Sequence, residues 1–193
     1  MAFTLQIGEN APDFNLPGVD GKNHSLADYA NAKLLIIAFT CNHCPYVVGS
    51  EERIKQLHAD YKDNGVQLVT INSNETENHP TDSFEHMIEH ARELGFDFPY
   101  LRDDSQEIAT AYGALRTPHF YVFDENRKLR YTGRMDDRPR HPGEETTHEL
   151  RDALDELLAG KEVSVPLTNP IGCNVKWQGQ DHHWMPAEAC DLV

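Results

Sequence analysis

The sequence has no long hydrophobic run, few basic residues and only four cysteines. Its longest apolar run covers residues 34–39 and is too short to span a bilayer, which excludes a transmembrane helix there. The run is instead typical of a strand that is buried on both faces. The first residues show no basic segment followed by an apolar core, so we expect a cytoplasmic protein without a secretory signal.

The scarcity of basic residues makes the chain strongly acidic. Acidic residues outnumber basic residues by 32 to 17, for a formal net charge of -15. Because such a surface repels nucleic-acid phosphates and anionic lipids, we expect neither a nucleic acid nor a membrane as a partner. The length of 193 residues and the hydrophobic content of 39% suit one domain that buries its own core.

The four cysteines are too few to hold a disulfide scaffold in a chain of this length. Cys41 and Cys44 form a C-x-x-C pair, whereas Cys173 and Cys190 lie far from it in the sequence. Such a pair can serve redox chemistry, metal binding or cross-linking. A zinc site usually has about four ligands, commonly from a second close pair, and the chain has no second C-x-x-C. We therefore expect redox chemistry, with no metal and no organic cofactor.

The residues around the pair predict a strand–helix–strand unit. A buried strand at residues 33–40 precedes the cysteines. After them, four residues recur on one face of a helix: Ile54, Leu57, His58 and Tyr61. Asn64-Gly65 ends this helix, and the β-branched residues 66–71 follow as a second strand. The cysteines thus lie at the turn from strand to helix of a βαβ unit.

The rest of the pattern predicts an α/β architecture, a mixed and mainly parallel sheet with helices on both faces. A helix is predicted to begin at Asp82 through a capping box, and a short helix to cover residues 105–112. Strands at residues 119–123 and 129–132 form a hairpin, and a last helix begins after Thr146.

Residues 1–163 form one domain in this interpretation, and Asp20-Gly21 indicates a hairpin near its start. Residues 164–193 show no periodicity. We expect them to form an irregular tail that packs on the domain or on a neighbouring molecule. The sequence leaves open whether the protein is a monomer or a homo-oligomer.

The spacing of the cysteine pair suits thiol–disulfide exchange. Cys41 lies at the predicted start of a helix, where unpaired backbone N–H groups and the helix dipole favour a thiolate. Cys44 lies one helical turn further on, within reach to resolve a mixed disulfide. His43 adds a positive charge and N–H donors, which stabilise the thiolate and make the disulfide a stronger oxidant.

Pro118 lies at the start of the strand predicted at residues 119–123, where its missing N–H removes no ladder hydrogen bond. A trans bond is the more frequent state of such a proline. In the context of a redox pair, however, we expect a cis bond between Thr117 and Pro118.

Three segments carry a resemblance to a known family. GENAPDF at residues 8–14 is similar to the opening of peroxiredoxins, and CNHCP at residues 41–45 resembles the thioredoxin active site. Thr117-Pro118 is similar to the cis-proline pair of the same superfamily. The chain thus resembles the thioredoxin superfamily, in its branch of peroxiredoxin-like thiol–disulfide oxidoreductases, over residues 1 to about 160. The resemblance implies a thioredoxin-like fold.

The resemblance also implies roles for the site residues. Cys41 would be the attacking thiol and Cys44 the buried resolving thiol. Pro118 would face the disulfide, and the backbone of Thr117 would bind an extended polypeptide or a thiol substrate. The substrate would be a protein or small-molecule disulfide, and an external thiol reductant would restore the pair.

Two features depart from the thioredoxin pattern. Such reductases often have a buried acid in the strand before the cysteines, but residues 34–39 contain none. Water, His43 and His119 are therefore the candidates that could accept a proton from the resolving thiol. Peroxiredoxins carry a threonine three residues before the peroxide-reactive cysteine, and Cys41 takes that position relative to Cys44.

A thiol peroxidase that reduces hydroperoxides is nevertheless an alternative function. Arg116 is similar to the arginine that peroxiredoxins keep near their reactive sulfur, and Cys44-Pro45 resembles their Cys-Pro. Thr40 and Arg116 would then support the site, although a surface salt bridge explains Arg116 equally well. We favour disulfide exchange, because the two-cysteine motif is complete and the peroxiredoxin threonine is missing.

Two further alternatives remain open at the level of sequence. The cysteines could belong to a non-enzymatic module that senses redox state or binds zinc. Cys173 could be a third redox thiol or a buried small residue. Cys190, three residues from the end, is expected to lie in a frayed terminus.

Overall fold

The computed structural model describes residues 4–180, so Cys190 lies outside the described residues. Within residues 4–180 there are nine strands: β1 (Asn15–Pro17), β2 (Asn23–Ser25), β3 (Leu34–Thr40), β4 (Val66–Asn72), β5 (Tyr100–Arg102), β6 (Arg116–Thr117), β7 (His119–Phe123), β8 (Leu129–Gly133) and β9 (Cys173–Asn174). The same residues contain five α-helices: α1 (Pro45–Val48), α2 (Glu51–Tyr61), α3 (Phe84–Leu94), α4 (Glu107–Tyr112) and α5 (Glu149–Leu158). No helix in this part of the chain is long and apolar enough to cross a bilayer.

A five-stranded sheet with the order β5-β4-β3-β7-β8 forms the centre of the protein. β3 lies in the middle and is fully buried, as the apolar run predicts. The mixed sheet is confirmed, but its pairings are evenly divided, not mainly parallel. β3 and β5 run parallel to β4, whereas β7 runs antiparallel to both β3 and β8.

Neighbouring residues of β3 point to opposite faces of the sheet. Each face is covered by a different set of elements. One face packs against α2 and α5, with Ile36 among the helix residues Leu57 and Leu154. The other packs against the N-terminal hairpin and α4, where Phe39 contacts Tyr112 edge to face. The rigid sheet therefore holds the carboxyl end of β3, where the cysteines follow.

Local signals placed most element ends correctly. Gly65 adopts a left-handed conformation with φ of 83° after α2, and Gly95 does the same with φ of 64° after α3. The predicted start of α3 at Asp82 is wrong, because the N-cap is Ser83, whose hydroxyl accepts from the His86 N–H. The carboxylate of Asp82 does not cap the helix, since it is buried and bonded elsewhere.

The segment after α5 crosses the sheet edge and returns to the cysteines. Leu167 forms a parallel bridge with Thr132 at the end of β8. Further on, β9 pairs antiparallel with β6. Val175 is buried in the core beside α4. The segment up to residue 180 thus packs on the other elements of its own chain.

Candidate active site

Cys41 and Cys44 lie at the carboxyl end of the central strand. Cys41 follows β3 directly, and Cys44 is the N-cap of α1, whose first residue is Pro45. Proline suits that position because its missing N–H has no partner within a helix. Both cysteines are buried, with exposed fractions of 1% for Cys41 and 0% for Cys44.

Thr117 faces both sulfurs from across the site. Its hydroxyl lies 3.4 Å from Cys41 Sγ, and its carbonyl oxygen accepts from the Cys44 thiol at 3.1 Å. The bond between Thr117 and Pro118 is cis, which confirms the expectation from the redox context. Thr117 therefore contacts both sulfurs of the C-x-x-C pair.

A third thiol joins the pair. Cys173 packs against the cluster of Cys41, Cys44 and Val47, and its thiol lies within hydrogen-bonding reach of the Cys44 sulfur. Cys44 also contacts Cys41 in the same way. Cys44 thus contacts both of the other sulfurs and is the middle member of the three.

This arrangement favours the thiolate form of Cys44 over that of its two neighbours. Hydrogen bonds from the Cys173 thiol and then from the Cys41 thiol lower the pKa of Cys44, against the effect of burial, and backbone N–H groups add to them. Burial raises the pKa of Cys41, and so does its hydrogen bond to Cys44. The pKa of Cys173 is raised because its thiol donates to Cys44. When one thiolate forms among the three sulfurs, the middle position therefore holds it best.

Asp82 supplies the buried acid that β3 lacks. Its side chain has an exposed fraction of 0% and ends a 3₁₀ turn after β4. It accepts from the Asn42 backbone N–H at 2.7 Å and from the side-chain amides of Asn72 and Asn74 at 3.2 and 2.8 Å. Burial alone would raise the pKa of Asp82, but the donors from His43, Asn74 and Asn42 outweigh it and lower the pKa.

His43 forms an ion pair with this acid. Its Nδ1 lies 2.7 Å from Asp82 Oδ2. The Asp82 carboxylate raises the pKa of His43, against the effect of burial. On its outer side the imidazole stacks on His79 with ring centroids 5.2 Å apart. The carboxylate thus favours the protonated form of His43 next to the cysteines.

Cys41, His43 and Asp82 also form a set that could hold a metal ion. One ligand atom of each lies within 4.8 Å of the others. Sulfur, imidazole and carboxylate are all zinc ligands, but tetrahedral zinc sites use about four. Among residues 4–180, these three are the group that meets this criterion.

The two residues predicted to support the site lie on either side of it. The hydroxyl of Thr40 bonds the buried phenol of Tyr100, which in turn donates to Asn42 in the C-x-x-C loop. Arg116 donates to the Gly172 carbonyl and to the Asn174 side chain. Arg116 thus binds the C-terminal segment on both sides of Cys173 and forms no surface salt bridge among the described residues.

His119 is not placed to accept the thiol proton. Its Nδ1 accepts from the Leu115 backbone N–H at 3.3 Å, and its Nε2 lies 3.1 Å from the Thr132 hydroxyl. The ring is buried, and burial lowers the pKa of His119 to about 3. It is a neutral structural residue.

We expect His119→Asn to reduce the loss of stability in acid. Between the ordinary histidine pKa of 6.5 and the folded value of about 3, the unfolded chain binds a proton that the folded protein does not. Stability therefore falls as the pH falls through this window, with a limiting slope of about 1.4 kcal/mol per pH unit. Asparagine keeps an acceptor for Leu115 without titrating. The measurement is urea unfolding at several pH values, with His141→Asn, at an exposed histidine, as the control. An unchanged slope in His119→Asn would contradict the assignment.

Most of the chain matches a known protein family. A family model described as Redoxin matches residues 6–154. The chain belongs to the Redoxin family. This redoxin is 28% identical over 133 residues to the thiol-disulfide oxidoreductase ResA of Geobacillus thermodenitrificans, or 68% of this chain and 72% of ResA. It is 31% identical over 117 residues to a peroxiredoxin predicted in Mycobacterium tuberculosis, or 61% of this chain and 69% of that protein. At the family level, its function is that of a redoxin-type thiol–disulfide oxidoreductase.

Solved structures resemble this redoxin as well. A conserved, uncharacterised Geobacillus kaustophilus protein superposes with a TM-score of 0.87 and 41% identity, over 93% of this chain and 96% of that one. A Chlorobium tepidum protein predicted to be the thiol:disulfide interchange protein DsbE superposes with a TM-score of 0.58 and 24% identity, over 67% and 85%. The latter likeness concerns the fold alone. It confirms the thioredoxin-like fold that the sequence resemblance implies.

Sequence reasoning missed Asp82 and the asparagines that surround it. A signal for them exists, because the polar residues Asn72 to Asn74 lie at the end of the buried strand β4 and directly after it. The carboxyl ends of β3 and β4 meet at one edge of the sheet, since the two strands are parallel. Polar side chains that follow β4 are therefore expected near those that follow β3.

Proposed function

We propose that this redoxin is a thiol–disulfide oxidoreductase whose redox centre is the Cys41–Cys44 pair. The observation that carries the proposal is the contact of the two sulfurs with each other and with Thr117, beside the cis bond to Pro118. Two adjacent thiols can form a disulfide without movement of the sheet, and a thiolate is the form that attacks a disulfide.

In the proposed reaction Cys44 attacks first, which differs from the role that the resemblance implies. The Cys44 thiolate attacks one sulfur of a substrate disulfide, forms a mixed disulfide and releases one substrate thiolate. Cys41 then attacks the Cys44 sulfur and releases the second. Because Cys44 reacts as a thiolate, the pair loses two electrons and one proton. The substrate disulfide gains the two electrons and leaves as two thiolates, one of which takes up the proton that Cys41 releases.

Asp82 is the proton acceptor that the geometry supplies for Cys41. Its carboxylate lies within 4.8 Å of the Cys41 sulfur, a distance that one water molecule can bridge. The negative charge of Asp82 opposes a resting thiolate on Cys41, which keeps that thiol protonated until it resolves the mixed disulfide. His43 balances the charge of the carboxylate.

The oxidised pair needs two electrons to return to the reduced state. Because no organic cofactor is proposed, an external thiol would supply them. The substrates are protein or small-molecule disulfides. The cytoplasmic location and the absence of nucleic-acid and membrane partners stay predictions from the sequence.

A thiol peroxidase is the second candidate, and the charge on Cys44 favours it. A sulfur that carries a thiolate among hydrogen-bond donors is also the form that reacts with a hydroperoxide. Arg116 does not support this candidate, since its guanidinium bonds Gly172 and Asn174.

The deciding experiment mixes the reduced protein rapidly with hydrogen peroxide and, separately, with oxidised glutathione. We expect rapid oxidation by the disulfide and slow oxidation by peroxide, close to the rate of a free thiol. A peroxide rate many orders of magnitude above that of a free thiol would identify a peroxidase instead. Zinc in the purified protein, lost when Cys41 and Cys44 are both replaced by serine, would favour the metal-binding module.

A further inference from the structure

The edge of β6 beside the redox pair is occupied by the chain itself. β9 pairs with it antiparallel, with Arg116 opposite Asn174 and Thr117 opposite Cys173. An exposed strand edge next to a thiolate can hold an extended substrate by main-chain hydrogen bonds. The C-terminal segment therefore takes the place of a substrate strand and presents a cysteine opposite the residue that precedes Pro118.

The approach of this segment to the site is close. A Cβ atom on Gly172 would lie 2.2 Å from the carbonyl oxygen of Thr117, so a larger residue would push the strands apart. Arg116 holds the Gly172 carbonyl at 3.3 Å and the Asn174 side chain at 2.6 Å. Beyond the short ladder, the Val175 N–H donates to the Leu115 carbonyl at 3.1 Å.

The segment is also anchored to the loop after β4. The Lys176 N–H donates to the side chain of Asn74 at 2.9 Å, and the Lys176 carbonyl accepts from the Glu75 N–H at 2.9 Å. The Gln106 side-chain amide donates to the same carbonyl at 2.7 Å. Asn74 in turn donates to Asp82, so the segment and the buried acid share one hydrogen-bond network.

The three sulfurs differ in their access to solvent. Cys41 and Cys44 have exposed fractions of 1% and 0%, whereas Cys173 is partly exposed. With β9 in place, an external disulfide therefore meets Cys173 before either member of the pair.

We propose that Cys173 is a third catalytic thiol, which relays oxidation between an external disulfide and the buried Cys41–Cys44 pair. The proposal deepens the proposed function and rests on it. It follows from the pairing of β9 with β6, the contact of Cys173 with Cys44 and the exposure of Cys173 alone among the three sulfurs. A substrate disulfide reaches Cys44 directly only if it displaces β9.

The relay has three exchange steps. The Cys173 sulfur attacks the external disulfide, passes its proton to Cys44 and releases one external thiolate. Cys44 then attacks the Cys173 sulfur, gives up the proton to the departing group and releases the second external thiol. Finally Cys41 attacks the Cys44 sulfur, and Cys173 leaves as a thiol. Two protein thiols become a disulfide, and one external disulfide becomes two thiols.

Cys173→Ser tests the relay with oxidised glutathione as the probe. We expect the rate of formation of the Cys41–Cys44 disulfide to fall at least about tenfold, because the probe loses its accessible partner. The pair still becomes oxidised at equilibrium with excess oxidised glutathione, since Cys173 is a thiol before and after the reaction. Exchange at the wild-type rate in a folded Cys173→Ser protein would overturn the proposal.

A second variant separates loss of the relay from damage to the site. Adding Gly172→Ala to Cys173→Ser pushes β9 away from Thr117, so the probe reaches Cys44 directly. We expect the double variant to react faster than Cys173→Ser. A double variant that is folded but as slow as Cys173→Ser would show that β9 does not control access, and the relay would be wrong.

The same experiments give different results if the relay is wrong and if the proposed function, on which the relay rests, is wrong. If the Cys41–Cys44 disulfide forms at the wild-type rate without Cys173, the relay fails and the oxidoreductase stands. If wild-type protein forms no Cys41–Cys44 disulfide even at equilibrium with excess oxidised glutathione, the proposed function fails, and the relay fails with it.

Discussion

We expect Cys41→Ser to accumulate a Cys44–Cys173 disulfide when it is treated with oxidised glutathione, and Cys44→Ser to carry glutathione on Cys173. Both variants lose turnover with a disulfide substrate, on the order of a thousandfold or more, because members of one catalytic unit fail together. The two products differ because Cys44 lies between the other sulfurs and alone contacts both. Peptide mass mapping under non-reducing conditions distinguishes these products.

Cys190→Ser is the matched control for these variants, because it removes a cysteine that lies outside the described residues. It is expected to keep turnover. Glutathione trapped on Cys41 in the Cys44→Ser variant would reverse the proposed order and restore Cys41 as the attacking thiol, as the thioredoxin resemblance implies. A circular dichroism spectrum and melting temperature for each variant show that the fold is intact.

Asp82→Ala is expected to lower the free energy of unfolding by about 3–5 kcal/mol, the usual effect of removing one partner from a buried ion pair. The loss is large because the carboxylate joins three separate segments. It binds the Asn42 N–H of the cysteine loop, the side chains of Asn72 and Asn74 after β4, and the imidazole of His43. Without it, these donors stay buried and lose their acceptor.

Urea unfolding measures this loss, and Asp97→Ala is the surface control. Asp97 has an exposed fraction of 58% and pairs with Lys62, so its removal should cost about 1 kcal/mol or less. Equal losses in the two variants would contradict the role of Asp82 as a junction.

Asp82→Asn serves the kinetic question: without an acceptor for the Cys41 proton, resolution of the mixed disulfide should depend more steeply on pH.

The local signals in the sequence were sufficient for the elements that position the site. The apolar run of β3 required burial on both faces, and the repeat of α2 required a helix packed on the sheet. Asn64-Gly65 ended that helix because glycine adopts the left-handed conformation with little strain. From these elements alone, the cysteine pair had to lie at a strand-to-helix turn, whereas the place of Pro118 beside it was implied by the family resemblance.

The start of α3 shows where such signals fail. Asp82 and Ser83 are both good N-cap residues, so the local pattern does not distinguish between them. The choice depends on donors from residues 42, 72 and 74, which come from two other loops. Asp82, which the local pattern predicts as the N-cap of α3, is instead the buried acid beside the cysteines.

The sequence by itself determined that this chain folds as a thioredoxin-like domain with a C-x-x-C pair at the end of its central strand. Only the tertiary structure decided that Asp82 and Cys173 stand beside that pair. Cys173 lies 129 positions after Cys44 in the numbering, in a segment without periodicity. Periodicity reports which face of one element is buried, whereas the partner of a polar side chain depends on which distant backbone the fold brings to it. Here the antiparallel pairing of β6 with β9 brings Cys173 opposite Thr117 and so to the cysteine pair.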